Sequence, residues 1–227
     1  MSVRGLCGAG AWGAGRILAV ALALAFFTGL IGCSVAPQSY SAGRDQALTL
    51  APGDLERYGI ALVTPSTVTG QEEERPAVAL TLAEVLRSER PGIRVVTLPE
   101  TLGAVNEAGL ADAYRQMYEE YRNTGLFRRE TLALLGKATN VRFVAQLKLS
   151  GFAQESSGRF SIFGFRVMET KRADVRVFLQ IWDASNGSVA WEGLQETTYS
   201  RESFSEQRVT LRTVLSEALT ELVRRLP

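Results

Sequence analysis

The chain has 227 residues, 46% hydrophobic and 22% charged, with a formal net charge of +1. That length and apolar share support one domain with a real core, and 25 basic against 24 acidic residues give no electrostatic case for a nucleic-acid partner. Histidine is absent, and the two cysteines, Cys7 and Cys33, both fall near the amino terminus. Ser-His-Asp and Cys-His catalysis, His metal ligands and zinc clusters are therefore excluded, and no cofactor or metal site is expected.

In chain order the first feature is an export signal. Met1 to Arg16 carries Arg4 and Arg16 and no acid, and Ile17 to Ile31 follows without a charge. This run is shorter than the roughly 20 apolar residues of a spanning helix, so it predicts a secretory signal rather than a span. It ends in Leu30-Ile31-Gly32-Cys33, which resembles a bacterial lipobox. The resemblance implies cleavage before Cys33, lipidation of its sulfur and a membrane anchor of more than one acyl chain, because a single chain holds only marginally. Ser34, where aspartate would imply inner-membrane retention, implies the periplasmic face of the outer membrane. With Cys7 removed and Cys33 acylated, no free thiol is expected, which excludes a cysteine nucleophile. The expected division is a signal peptide over 1–32, a lipidated terminus and flexible tether over 33–50, and a periplasmic domain over 51–227. Ser, Pro, Gln and Gly dominate the tether, and it shows no apolar period.

The domain begins with Gly59 to Val63, a short apolar run stopped by Thr64-Pro65, read as a buried strand. Pro76 to Arg90 is read as a helix, since Val78, Leu82, Val85 and Leu86 share one face. Ile93 to Thr97 reads as a second short strand, and the helix between the two suggests a parallel pair. A short helix is expected over Pro99 to about Ala108. Leu110, Ala113, Tyr114, Met117, Tyr118 and Tyr121 mark the next, stopped by Asn123-Thr124-Gly125, and Arg128 to Ala138 a third. Val141 to Leu149 alternates as a half-buried strand, Phe152 to Lys171 has no readable period, and Ala173 to Trp182 alternates again. Asp183-Ala-Ser-Asn-Gly187 carries the Asn-Gly signal of a tight hairpin, returning through Ser188 to Tyr199. Gln207 to Arg225 closes the chain as an amphipathic helix. The predicted fold class is α/β: a mixed β-sheet with helices packed on it, an α/β sandwich.

Lipobox, tether, the strand Gly59 to Val63 and the hairpin Val177-Phe-Leu-Gln-Ile-Trp-Asp-Ala-Ser-Asn-Gly-Ser-Val-Ala-Trp-Glu192 together resemble a group of bacterial envelope lipoproteins. It contains the curli-secretion subunit CsgG, the penicillin-binding-protein activator LpoB and the amino-terminal domain of TolB. The resemblance covers about residues 55 to 227. It implies a non-enzymatic interaction or assembly role in peptidoglycan synthesis, secretion or appendage assembly, with an envelope protein as partner.

The chemical inventory agrees with a binding role. No G-x-S-x-G, Ser-x-x-Lys, Walker A or G-x-G-x-x-G motif is present, and no catalytic residue is assigned. Glu72 to Glu74 and Glu119-Glu120 read as solvated faces. Phe160, Phe163, Phe165, Arg166 and Trp182 are the candidate contact residues, being of the types enriched at interface centres; burial in the sheet core is the competing reading. Two alternatives stay open: a subunit of a homo-oligomeric ring or secretion pore, and a small-ligand receptor or carboxylate-based enzyme.

Overall fold

The computed structural model describes residues 38–67, 74–162, 165–203 and 209–227; over 156–170 and 201–203 it describes the course of the strands alone. Among the described residues, seven strands form one mixed sheet: β1 Gln38–Ala47, β2 Ile60–Leu62, β3 Ser66–Thr67, β4 Val95–Val96, β5 Phe143–Ile162, β6 Phe165–Asp183 and β7 Ser188–Ser203. Their order is β1-β7-β6-β5-β2-β4, with β3 pairing β5. Six helices of the described residues accompany them: α1 Asp54–Tyr58, α2 Arg75–Glu89, α3 Leu98–Glu107, α4 Ala111–Thr124, α5 Arg129–Thr139 and α6 Leu211–Arg224. The fold is the α/β class expected, and β2 runs parallel to both β4 and β5, as its helical connections require.

Alternation along β5 and β6 splits the core in two. Phe143, Ala145, Leu147 and Leu149 face the same way as Ala173, Val175, Val177, Leu179 and Ile181. Val78, Leu82, Val85 and Leu86 of α2, with Val214, Leu215, Ala218 and Leu222 of α6, cover that face. Val144 and Trp182 face the other way, against Met117 and Tyr121 of α4 and Leu132 and Leu135 of α5. The helix ends have local causes. Glu100 accepts hydrogen bonds from the Thr97 N–H and hydroxyl, both at 2.7 Å, and caps α3. Asn140 ends α5 at φ 53°, a left-handed value that asparagine tolerates better than most side chains.

Trp191 is fully buried and, with Trp182, one of the two tryptophans of the core among the described residues. Gly193 makes room for it: a Cβ there would stand 2.4 Å from the indole and 2.8 Å from Leu222. The Asn-Gly-x-x-x-Trp stretch thus turns the chain and then plants its tryptophan under α6.

Two expectations are corrected. The tether does not occupy all of 33–50. Gln38–Ala47 is β1, antiparallel to β7 over ten pairs from Gln38↔Ser200 to Ala47↔Trp191. All ten residues are exposed, which is why no apolar period betrays the strand. The turn after Asp183 is also longer than a two-residue hairpin. Ala184 to Gly187 form the loop, and Gly187, at φ 79°, takes positive φ while Asn186 does not. The Asp183 carboxylate accepts the Ser185 N–H at 2.9 Å and hydroxyl at 2.6 Å, and the Asp183 carbonyl accepts the Gly187 N–H at 2.8 Å.

Candidate functional site

The expected lipidation site, Cys33 with Leu30, Ile31 and Gly32, lies outside the described residues. What the fold adds is its distance along the chain from the domain: Gln38, five positions on, already pairs with β7.

The candidate contact residues do not form one cluster. Phe160 lies on β5, and Phe165 and Arg166 begin β6, at the far end of the hairpin that these strands make. There Phe160 pairs with Met168, Ser161 with Arg166 and Ile162 with Phe165. Phe163 lies outside the described residues, as do the side chains of the other three. Trp182 stands at the opposite end of β6, seventeen residues from Phe165 and so ~56 Å away along the strand at ~3.3 Å per residue. It is 2% exposed and packs on Phe127, with ring centroids 5.2 Å apart, which in turn stacks on Tyr121 at 4.4 Å. Trp182 is a core residue and not a surface contact; an aromatic in an alternating run next to a turn has the same signature in either role.

The described carboxylates and phenols with altered acidity all have structural partners. Burial would raise the Asp183 carboxyl, but donation from Arg142 at 2.7 and 3.1 Å and from Ser185 outweighs it and holds the group below the usual carboxylate range. Burial likewise opposes, and the Thr198 hydroxyl and Arg172 overcome, to lower Asp174. Glu100 is lowered chiefly by the Thr97 N–H it accepts. Tyr121 is pushed up to about 12 by burial, then by Tyr118 and Glu192, and its hydroxyl donates to Gln180 at 3.0 Å. Burial also raises Tyr114, which meets Thr64 at 2.9 Å. Glu119 and Glu120 sit on the surface of α4, paired with Arg115 and Arg128. Glu72 and Glu73 lie outside the described residues, and Glu74 directly precedes α2.

An open cavity of about 580 Å³ is lined by Arg57, Tyr58, Arg94, Lys137, Asn140 and Arg142, among others. Its cations have architectural work. Arg142 pairs with Asp183, Arg94 donates to the Asn140 carbonyl, and Arg57 lies over the Tyr58 ring at 5.0 Å. Arg57 and Lys137 also occupy the last turns of α1 and α5, where positive charge complements the helix dipole. Among the described residues no group of three acidic or thiol side chains is placed to hold a metal. None of their helices is long and apolar enough to cross a membrane.

No protein-family model matches the chain, and no curated protein matches it. Solved structures do. A PelC dodecamer from Paraburkholderia phytofirmans is 16% identical, with a TM-score of 0.44, over 82% of this chain and 97% of the other. The lipoprotein GNA1162 from Neisseria meningitidis is 14% identical, with a TM-score of 0.43, over 74% and 96%. The LpoB carboxy-terminal domain from Salmonella enterica is 13% identical, with a TM-score of 0.37, over 61% and 81%. These neighbours include bacterial lipoproteins.

Proposed function

We propose that this protein is an outer-membrane lipoprotein of the periplasmic face, acylated on Cys33, that works as a non-enzymatic interaction or assembly module of the cell envelope. The observation that carries the reading is Leu30-Ile31-Gly32-Cys33 closing an uncharged run behind Arg16. Consistent with a role in contact, the described groups of perturbed acidity serve a helix cap, a turn and cross-strand or core packing. Intact-mass measurement of membrane-extracted protein tests the anchor: the expected species begins at a diacylated or triacylated Cys33. Cys33→Ser is expected to move the protein to the soluble fraction; membrane fractionation unchanged in that variant refutes the anchor. Crosslinking in cells followed by capture tests the partner, and recovery of no envelope protein above an untagged control counts against an assembly role.

A second reading, a ring or pore subunit, is favoured by one feature. β1 is a ten-residue edge strand with no further strand on its outer side among the described residues, and such an edge can pair with a second chain. Light scattering of the acylated protein in detergent decides it: a strict monomer removes this reading.

A further inference from the structure

We infer that the cavity at the starting ends of β2, β4 and β5 takes an acidic polypeptide segment of the envelope partner. This rests on the assembly role proposed above, and adds where the contact is made and the charge of the segment that makes it.

The parallel part of the sheet builds the cavity. Ile60 is level with both Val95 and Phe143, so the residues at the head of these three strands come together. The Ile60 N–H donates to the Arg94 carbonyl at 3.0 Å and the Arg142 N–H to the Tyr58 carbonyl at 3.2 Å, which fixes the junction. Arg57, Arg94 and Arg142 reach the cavity from these strand heads, and Lys137 reaches it from the last turn of α5. The cavity of about 580 Å³ has no carboxylate in its lining.

Most of this charge is not cancelled. Elsewhere among the described residues exposed arginines have carboxylates in reach: Arg115 meets Asp112 at 3.1 Å, Arg128 meets Glu120 at 2.7 Å, Arg176 meets Glu196 at 2.7 Å and Arg212 meets Glu84 at 3.0 Å. Arg57, Arg94 and Lys137 are exposed and have no carboxylate within ion-pair distance among the described residues. Stacking on Tyr58 and donation to the Asn140 carbonyl hold Arg57 and Arg94 in place but neutralise neither. Asp183, the partner of Arg142, is turned inward: its side chain is 2% exposed and that of Arg142 is 36% exposed. Asp54 also attracts Arg142, from outside the lining, and accepts the Ala51 N–H at 3.0 Å. The ends of α1 and α5 return about half a negative charge each, so positive charge stays in excess.

The donors select the ligand. A phosphate group is well held by backbone N–H groups at a helix N-terminus, but both helices that reach this cavity end there. The Ser185 N–H and hydroxyl are given to Asp183. What remains is a set of separate guanidinium and ammonium heads, each able to meet one carboxylate. The cavity is open, whereas small-molecule sites enclose most of their ligand's surface. Ala133, Val141 and Ala184 add apolar wall beside the cations, which suits a peptide backbone and aliphatic stems. An extended segment with spaced aspartates or glutamates meets all of these conditions.

The test uses full mature protein in non-ionic detergent and a fluorescein-labelled peptide of alternating glutamate and alanine, read by fluorescence anisotropy. The same peptide with glutamine for glutamate is the reference. Saturable binding of the glutamate peptide is expected, weakened by added salt and absent for the glutamine peptide. Arg57→Gln and Lys137→Gln are each expected to weaken it about three-fold, and together about ten-fold. Arg212→Gln, which removes the same charge from α6, is expected to change it by less than about 1.5-fold. Equal losses in all three single variants show attraction by net charge alone and overturn the inference, as does a glutamate peptide that fails to bind. Displacement by inorganic phosphate or citrate as effective as displacement by unlabelled peptide marks a small-anion site and also overturns it. The measurement needs neither acyl chain nor partner, so each of these failures leaves the assembly role standing. An empty capture in cells removes that role and this inference with it. Arg57 and Lys137, varied separately at exposed positions, keep the test decisive if one variant fails to fold.

Discussion

The two halves of the β5–β6 hairpin are continuous strands with different neighbours. The base, Phe143–Leu149 against Val177–Asp183, lies between two helical layers, and on the face covered by α2 and α6 every second residue up to Ile181 is a Val, Leu, Ile, Ala or Phe. The outer half, from Gly151 onward, keeps its pairing after a register shift at Leu149/Gly151, flanked by β7 as far as Ser203↔Glu169. Its sequence changes to Gly, Ser, Gln and Glu, then to the aromatic turn. The contrast teaches that strand pairing continues where the alternation of apolar residues that marks the base has stopped.

Substitutions break or sharpen this contrast. Trp191→Ala, at the base, is expected to cost about 3–5 kcal/mol by leaving a cavity under α6, read as a fall in the urea midpoint. Asp183→Ala strips Arg142 and the Ser185 N–H of their shared acceptor and is expected to cost about 2–3 kcal/mol in the same assay. The same carboxyl sets a pH dependence. Its folded pKa is depressed, so its contribution is complete above the unfolded value of about 4 and is lost as pH falls through the lower folded value. Unfolding midpoints measured on either side of pH ~4 are expected to drop with acid, and less steeply in Asp183→Asn. Gly193→Ala drives a methyl into Trp191 and Leu222 and is expected to cost about 1–3 kcal/mol. Smallest of all, Phe165→Ser in the outer half is expected to change stability by less than about 0.5 kcal/mol. A loss at Phe165 as large as that at Trp191 would erase the distinction between the two halves.

Most elements of the base were legible because burial on one face leaves a period: Val78, Leu82, Val85 and Leu86 for α2, and the alternation through Ala173 to Ile181 for β6. β1 was not legible, since both its faces are wet and its residues are those of a linker. Nor was the course of 152–171, where the sequence carries no apolar alternation although the strand pairing continues. For the candidate site, Phe160, Phe165 and Arg166 share the hairpin end as a group, whereas Trp182 joined them only by composition. Telling it apart needed Phe127 and Tyr121, which lie more than fifty residues away in the chain and give no local signal.

Strand β1 has a mechanical consequence. It is the first described element of the chain, and its hydrogen bonds to β7 run across the strand direction. A tug on the leading end along the strand axis therefore loads all ten rungs in shear at once, instead of peeling them one by one. The amino-terminal anchor proposed above would load this strand in that resistant direction.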